Sequence, residues 1–93
     1  MNKEEFKANA KQTIDEVSAK INELKAKSEA TKESAKDKYN EALEELESKK
    51  ETLEHKYENL QHATEEKWDE AKNTFTKASE SFKEGAKQLA ELF

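Results

Sequence analysis

Between residues 10 and 92 the least polar side chains recur at steps of three and four along the whole chain. The series runs Ala10, Ile14, Val17, Ile21, Leu24, Ser28, Thr31 and Ala35, and then Tyr39, Ala42, Leu46, Lys49, Leu53, Tyr57 and Leu60. It continues through Thr64, Trp68, Ala71, Phe75, Ala78, Phe82, Gly85, Leu89 and Leu92. These 24 positions cover 82 residues in 23 steps, a mean of about 3.57. That value lies between the heptad repeat of about 3.5 and the straight-helix repeat of about 3.6. Such a seam requires an α-helix that buries one narrow face.

Composition supports the helix and excludes a large globular core. Ala, Glu, Lys and Leu supply 55 of the 93 residues, all of them good helix formers. There is no proline, and Gly85 is the only glycine, so nothing before the last turns forces a break. Charged residues make up 42% of the chain against 32% hydrophobic, which taken alone would suit disorder, but a disordered polyampholyte carries no such register. Outside the seam, with Leu43 and Phe93 beside it, the surface is polar. Pairs such as Glu16–Lys20, Glu23–Lys27 and Glu45–Lys49 stand four apart, and Glu29–Lys32, Glu33–Lys36 and Glu84–Lys87 three apart. Each contributes only about 0.2–0.5 kcal/mol and marks a solvated face.

The fold class is therefore all-α, with residues 1–93 as a single helical domain. The expected form is a long amphipathic helix that builds a coiled coil or helical bundle by self-association. Extra steps of four at Ala35–Tyr39, Leu53–Tyr57 and Thr64–Trp68 are stutters, which unwind a supercoil locally without ending the helix. The stretch 28–38 holds only Ser28, Thr31 and Ala35 on the seam and is the candidate hinge or hairpin tip. A continuous helix is nevertheless the favoured reading, because short helical hairpins usually contain Gly, Pro or Asn. A rod of about 85 residues would be roughly 130 Å long.

Large apolar residues on that rod need cover, and burying each contributes roughly 1.5–3 kcal/mol before entropy is subtracted. The predicted helix-packing interface is Ile14, Val17, Ile21, Leu24, Tyr39, Leu46, Leu53, Tyr57, Leu60, Trp68, Ala71, Phe75, Ala78, Phe82, Gly85, Leu89 and Leu92. The expected partner is a second copy, giving a homo-oligomer. In the last block, Trp68, Phe75, Phe82 and Leu89 alternate with Ala71, Ala78 and Gly85, so large can face small across an antiparallel pair. Gly85 reads as a packing residue, with a frayed helix end as the alternative.

Chemistry finds little purchase. With no cysteine, thiol catalysis, thiolate metal sites and disulfides are excluded. His55 and His62 share a face with Glu51 and Glu58, but that face points away from Leu53, Tyr57 and Leu60, so solvation is expected rather than a metal. There is no His-Glu-x-x-His and no glycine-rich phosphate loop. No catalytic residue, cofactor or metal is assigned, and an enzyme is not expected. Nucleic acid is disfavoured by the net charge of −5 and by basic residues that are all lysine, interleaved with glutamate.

A membrane surface is the rival reading, confined to 64–93, where Lys67, Lys72, Lys77, Lys83 and Lys87 surround the aromatic block. Interspersed glutamates and the narrow stripe weigh against it, and no run of about 20 apolar residues spans a bilayer. Met1-Asn2-Lys3-Glu4-Glu5-Phe6 lacks the apolar stretch of a signal peptide, so a cytoplasmic location is the default. Asn2 with Glu5 reads instead as a helix N-cap with its capping-box partner.

Two resemblances add to this. Met1-Asn2-Lys3-Glu4-Glu5-Phe6, Lys67-Trp68-Asp69-Glu70 and Ser81-Phe82-Lys83-Glu84-Gly85, in that layout, resemble a family of small bacterial coiled-coil proteins linked by name to stress response. The resemblance covers nearly the whole chain and implies a bacterial cytoplasmic protein, no cofactor and a stress-related role. Ala30-Thr31-Lys32-Glu33-Ser34-Ala35-Lys36-Asp37-Lys38-Tyr39 is similar to the eleven-residue repeats of late-embryogenesis-abundant and apolipoprotein-like helices. That similarity implies a protectant that is disordered until dried, and the seam of large apolar residues departs from it.

Overall fold

The computed structural model describes residues 2–92; Met1 and Phe93, the latter placed beside the seam above, lie outside the described residues. Three helices follow one another: α1 (Lys3–Glu29), α2 (Glu33–Gln61) and α3 (Trp68–Ala90). α1 starts where the sequence places it. The Asn2 side chain accepts the Glu5 N–H at 2.8 Å, and the Glu5 carboxylate in turn accepts from the Asn2 side-chain amide at 3.2 Å.

The helices run up, down and up. Lys25 meets Glu47 and Ser28 meets Asn40 across the first turn, so α1 and α2 are antiparallel. Tyr57 beside Phe75 and Leu46 beside Gly85 make α2 and α3 antiparallel as well. Phe6 against Trp68 sets α1 and α3 parallel. The result is a bundle of 50 × 17 × 17 Å.

The continuous rod of about 130 Å is thus replaced by a bundle folded twice. The first turn, 30–32, falls in the weak stretch 28–38; the second, 62–67, takes in the Thr64–Trp68 stutter, a feature expected to leave the helix unbroken. The candidate hairpin tip at 28–38 is thus present, although the sequence favours a continuous helix there, and neither turn uses Gly or Pro. The chain reverses at the first turn with ordinary backbone angles, Ala30 at φ −87°, ψ −3° and Lys32 at φ −60°, ψ 144°. Among the described residues none has a positive φ, so no glycine is needed.

The core is one cluster running the length of the bundle. Leu24, Leu53 and Leu60 are wholly buried, with Val17, Ile21, Tyr39, Leu43, Leu46, Phe75, Phe82 and Leu89 packed around them. Folding back gives each helix two neighbours from its own chain, which is how so polar a sequence covers its large side chains.

Candidate interaction surface

With no catalytic constellation in the sequence, the surface to build is the one that packs helices. Of the predicted interface residues, Val17, Ile21, Leu24, Tyr39, Leu46, Leu53, Leu60, Ala71, Phe75, Phe82 and Leu89 are buried. Ile14, Tyr57, Trp68 and Ala78 are partly buried against them, and Gly85 is half-buried. Leu92 is 54% exposed. The structure therefore brings nearly all of this set together inside a single chain.

Several core residues lay outside the predicted set. Leu43 is inside the core rather than beside it, and Ser28, Ser79 and Ala86 are buried. Phe6 and Ala63 pack on the core edge. Phe6 was legible, since it stands one step of four before Ala10. Ala35 and Thr64, counted on the seam, are exposed beside the two turns.

The buried positions keep a phase that the turns do not interrupt. Ser28 is the last buried residue of α1 and Tyr39 the first of α2, eleven residues on. Leu60 is the last of α2 and Ala71 the first of α3, again eleven residues on. Eleven residues close about three helical turns. From Ala10 to Leu89 the stripe spans 79 residues, about 22 turns at 3.6 residues each. The same side chains would line one face if either turn were straightened.

α1 and α3 part along 13–20 and 82–90, leaving an open groove of about 360 Å³. Val17, Phe82 and Ala86 are its buried lining, with Glu16 and Lys20 on the α1 side and Lys83 and Lys87 on the α3 side. The acidic excess lies elsewhere: α2 carries nine acidic residues against five lysines, while α1 and α3 each balance.

At the end where the second turn sits, Phe6 stands edge-on to both Trp68 and Phe75, and Tyr57 leans against Phe75. The Lys3 and Lys7 ammonium groups lie 5.5 and 5.9 Å from the centroid of the Trp68 ring, within the range of cation–π attraction. Lys3 also pairs with Glu65 at 2.9 Å, which ties the second turn to α1 and holds the Glu65 carboxyl below its ordinary pKa. Glu23 is lowered likewise, by Lys20 first and Lys27 second. Burial, with the Glu23 charge behind it, raises the Tyr39 hydroxyl above 10.0.

Glu51, His55, Glu58 and His62 are all exposed. Among the described residues no three His, Asp or Glu side chains stand together as a metal site. No described helix is long and apolar enough to cross a membrane. No protein family, no curated protein and no solved structure matches the chain.

Proposed function

We propose that this chain is a non-enzymatic helix-packing protein that self-associates, a second copy being the first partner its surface suits, in a stress-related role. The observation that carries the reading is the unbroken phase of the buried stripe from Ala10 to Leu89. A stripe that serves one continuous helix as well as a folded bundle can be covered by the chain's own helices or by another chain's. The resemblance to small coiled-coil stress proteins points the same way.

The membrane alternative draws less support. The aromatic face of 64–93 that a bilayer would take up is turned into the core, with Phe75 and Phe82 buried and Trp68 partly covered. Molar mass by light scattering across a hundredfold concentration range tests the proposal. Mass should rise from one chain towards two or more. A single-chain mass at every concentration would overturn it.

A further inference from the structure

We infer that two copies associate by exchanging α1, the 30–32 turn straightening so that α1 and α2 become one helix of each chain. The inference rests on the self-association proposed above and names its route. Three observations converge on this turn.

The first is phase: the eleven residues from Ser28 to Tyr39 keep the buried stripe on one face through a helical 30–32. The second is chemistry. Ala30, Thr31, Lys32 and Glu33 are residues a helix accepts, and no positive φ or proline holds the reversal in place. The third is hydrogen bonding. Lys32, the N-cap of α2, gives no side-chain hydrogen bond, and the Ala35 N–H is held only by the Lys32 carbonyl in a tight turn. The start of α3 at Lys67 is uncapped likewise, but at α2 a straightened 30–32 would supply the leading N–H groups with helical partners.

The second turn is held differently. It is six residues long against three, and Ala63 within it packs on the core, so 62–67 stays closed while 30–32 opens.

In the exchanged form the two long helices lie antiparallel about a two-fold axis at residues 31–35. Thr31 and Ala35, half-buried and exposed in the closed chain, would meet their counterparts there. Their small size lets the helices approach closely. The contacts of α1 are remade with the partner chain, Lys25 with Glu47, Ser28 with Asn40 and Phe6 with Trp68, while α2 and α3 keep theirs within the chain. Exchange of an identical element is a short route to a dimer when the hinge is only a few residues long.

Two variants act on the hinge in opposite directions. Glu33→Pro suits the closed turn, because Glu33 is the first residue of α2 and the preceding Lys32 already has the extended angles that proline demands of its neighbour. In the straightened helix the same proline is interior and blocks it. Thr31→Leu with Ala35→Leu adds apolar side chains that the exchanged form covers with their counterparts and the closed chain, with Ala35 exposed, leaves largely in water.

The chain has no cysteine, so single thiols can be placed cleanly. One population carrying Lys25→Cys is mixed with another carrying Glu47→Cys, concentrated, and treated with a short bismaleimide. Exchange places these two thiols beside each other between chains, and a mixed cross-linked dimer is expected. Glu33→Pro in both populations should lower its yield by about a hundredfold or more, since each dimer contains two blocked helices. The closed chain should keep its helix spectrum. The double leucine variant should raise the yield. A dimer by light scattering that gives no mixed cross-link, or one that survives Glu33→Pro, overturns exchange while leaving self-association standing. A single-chain mass throughout overturns both.

Discussion

Phe6 in the first turn of α1 stands edge-on to Trp68 in the first turn of α3, their ring centroids 5.9 Å apart at 82°. Phe6 reaches Phe75 as well, at 6.2 Å. α1 and α3 are parallel neighbours separated by a groove farther along, so this cluster clasps the start of α1 to the start of α3. Because Phe6 is only half-buried, Phe6→Ala should cost about 2–3 kcal/mol, below the range for an enclosed ring. Urea denaturation followed by Trp68 fluorescence measures this directly. An effect under about 0.5 kcal/mol, the ordinary scatter of surface changes, would show that the clasp contributes nothing.

How much of this was legible follows from what periodicity can encode. Steps of three and four report which face of a helix is buried, and Val17, Ile21, Leu24, Leu46, Leu53, Leu60, Phe75 and Phe82 duly lie in the core. Periodicity does not report whether the cover comes from another chain or from the same chain folded back. The turn at 30–32 needs one residue, Lys32, in an extended conformation that any side chain can adopt, so it leaves no compositional mark. The second turn is similarly unmarked in His62, Ala63, Thr64, Glu65, Glu66 and Lys67. Eleven-residue spacing across both turns hid them further, since the stripe stays in phase as though the helix went on. In α3 the small residues of the buried face are Ala71, Ser79 and Ala86, whereas the heptad count chose Ala78 and Gly85, one position away in two of three layers.

Gly85 is nonetheless a packing residue. A Cβ there would stand 2.9 Å from a Leu46 methyl and 3.1 Å from the Lys49 ammonium nitrogen. The Lys49 end can swing into water, but Leu46 is only 2% exposed and hemmed in. Gly85→Ala gains about 0.8–1.0 kcal/mol of helix propensity and loses about 1–3 kcal/mol to overpacking. No net stabilisation is expected, and a loss of up to about 2 kcal/mol. Thermal melts of the variant check it; a clear rise in Tm would mean that Leu46 moves aside freely.

Stability should fall on acidification partly through Lys3 and Glu65. Lys3 favours the charged carboxylate, so the folded pKa lies below the unfolded value of 4.5. The contribution is complete above 4.5 and disappears as pH falls through the lowered folded value. Glu23, lowered by Lys20 and Lys27, acts in the same direction. Glu65→Gln should therefore flatten the acid limb of the urea midpoint, and added salt should flatten it in the parent chain too. At the other extreme Tyr39, raised by burial, contributes fully below 10.0 and is lost as pH climbs from there through its folded value. Tyr39→Phe should shift the alkaline limb upward in pH; an unchanged limb would exonerate Tyr39.

His55 and His62 are exposed on α2, the second as its C-cap, donating its N–H to the Glu58 carbonyl at 3.2 Å. That contact is backbone and survives a side-chain change. His55→Ala with His62→Ala should leave the melt within about ±0.5 kcal/mol, with or without added zinc. A zinc-dependent rise in Tm that vanishes in the double variant would count against this solvated face.

The two phenylalanines of α3 should differ in what they lose. Phe75 packs against the Phe6 and Tyr57 rings and borders only a smaller groove of about 220 Å³, so Phe75→Ala removes two ring contacts as well as leaving a cavity. The cost should approach the upper end of the range for such truncations, about 5 kcal/mol. Phe82 is as deeply buried but forms the floor of the α1–α3 groove, which already opens to solvent. Water can enter and neighbouring side chains can relax there, so Phe82→Ala should cost nearer about 3 kcal/mol. Enlarging small residues gives the complementary contrast. Ala71→Leu lands on the buried face and should cost about 1–3 kcal/mol, while Ala78→Leu, half-buried at the core edge, should cost less than about 1 kcal/mol. For a 93-residue domain each kcal/mol moves Tm by about 4–8 °C, so all four variants are separable by melting at a fixed low concentration. The inequality between Phe75 and Phe82 is the decisive reading, because equal burial alone would make the two costs equal. If Phe82→Ala proves as damaging as Phe75→Ala, the groove beside it is closed in solution.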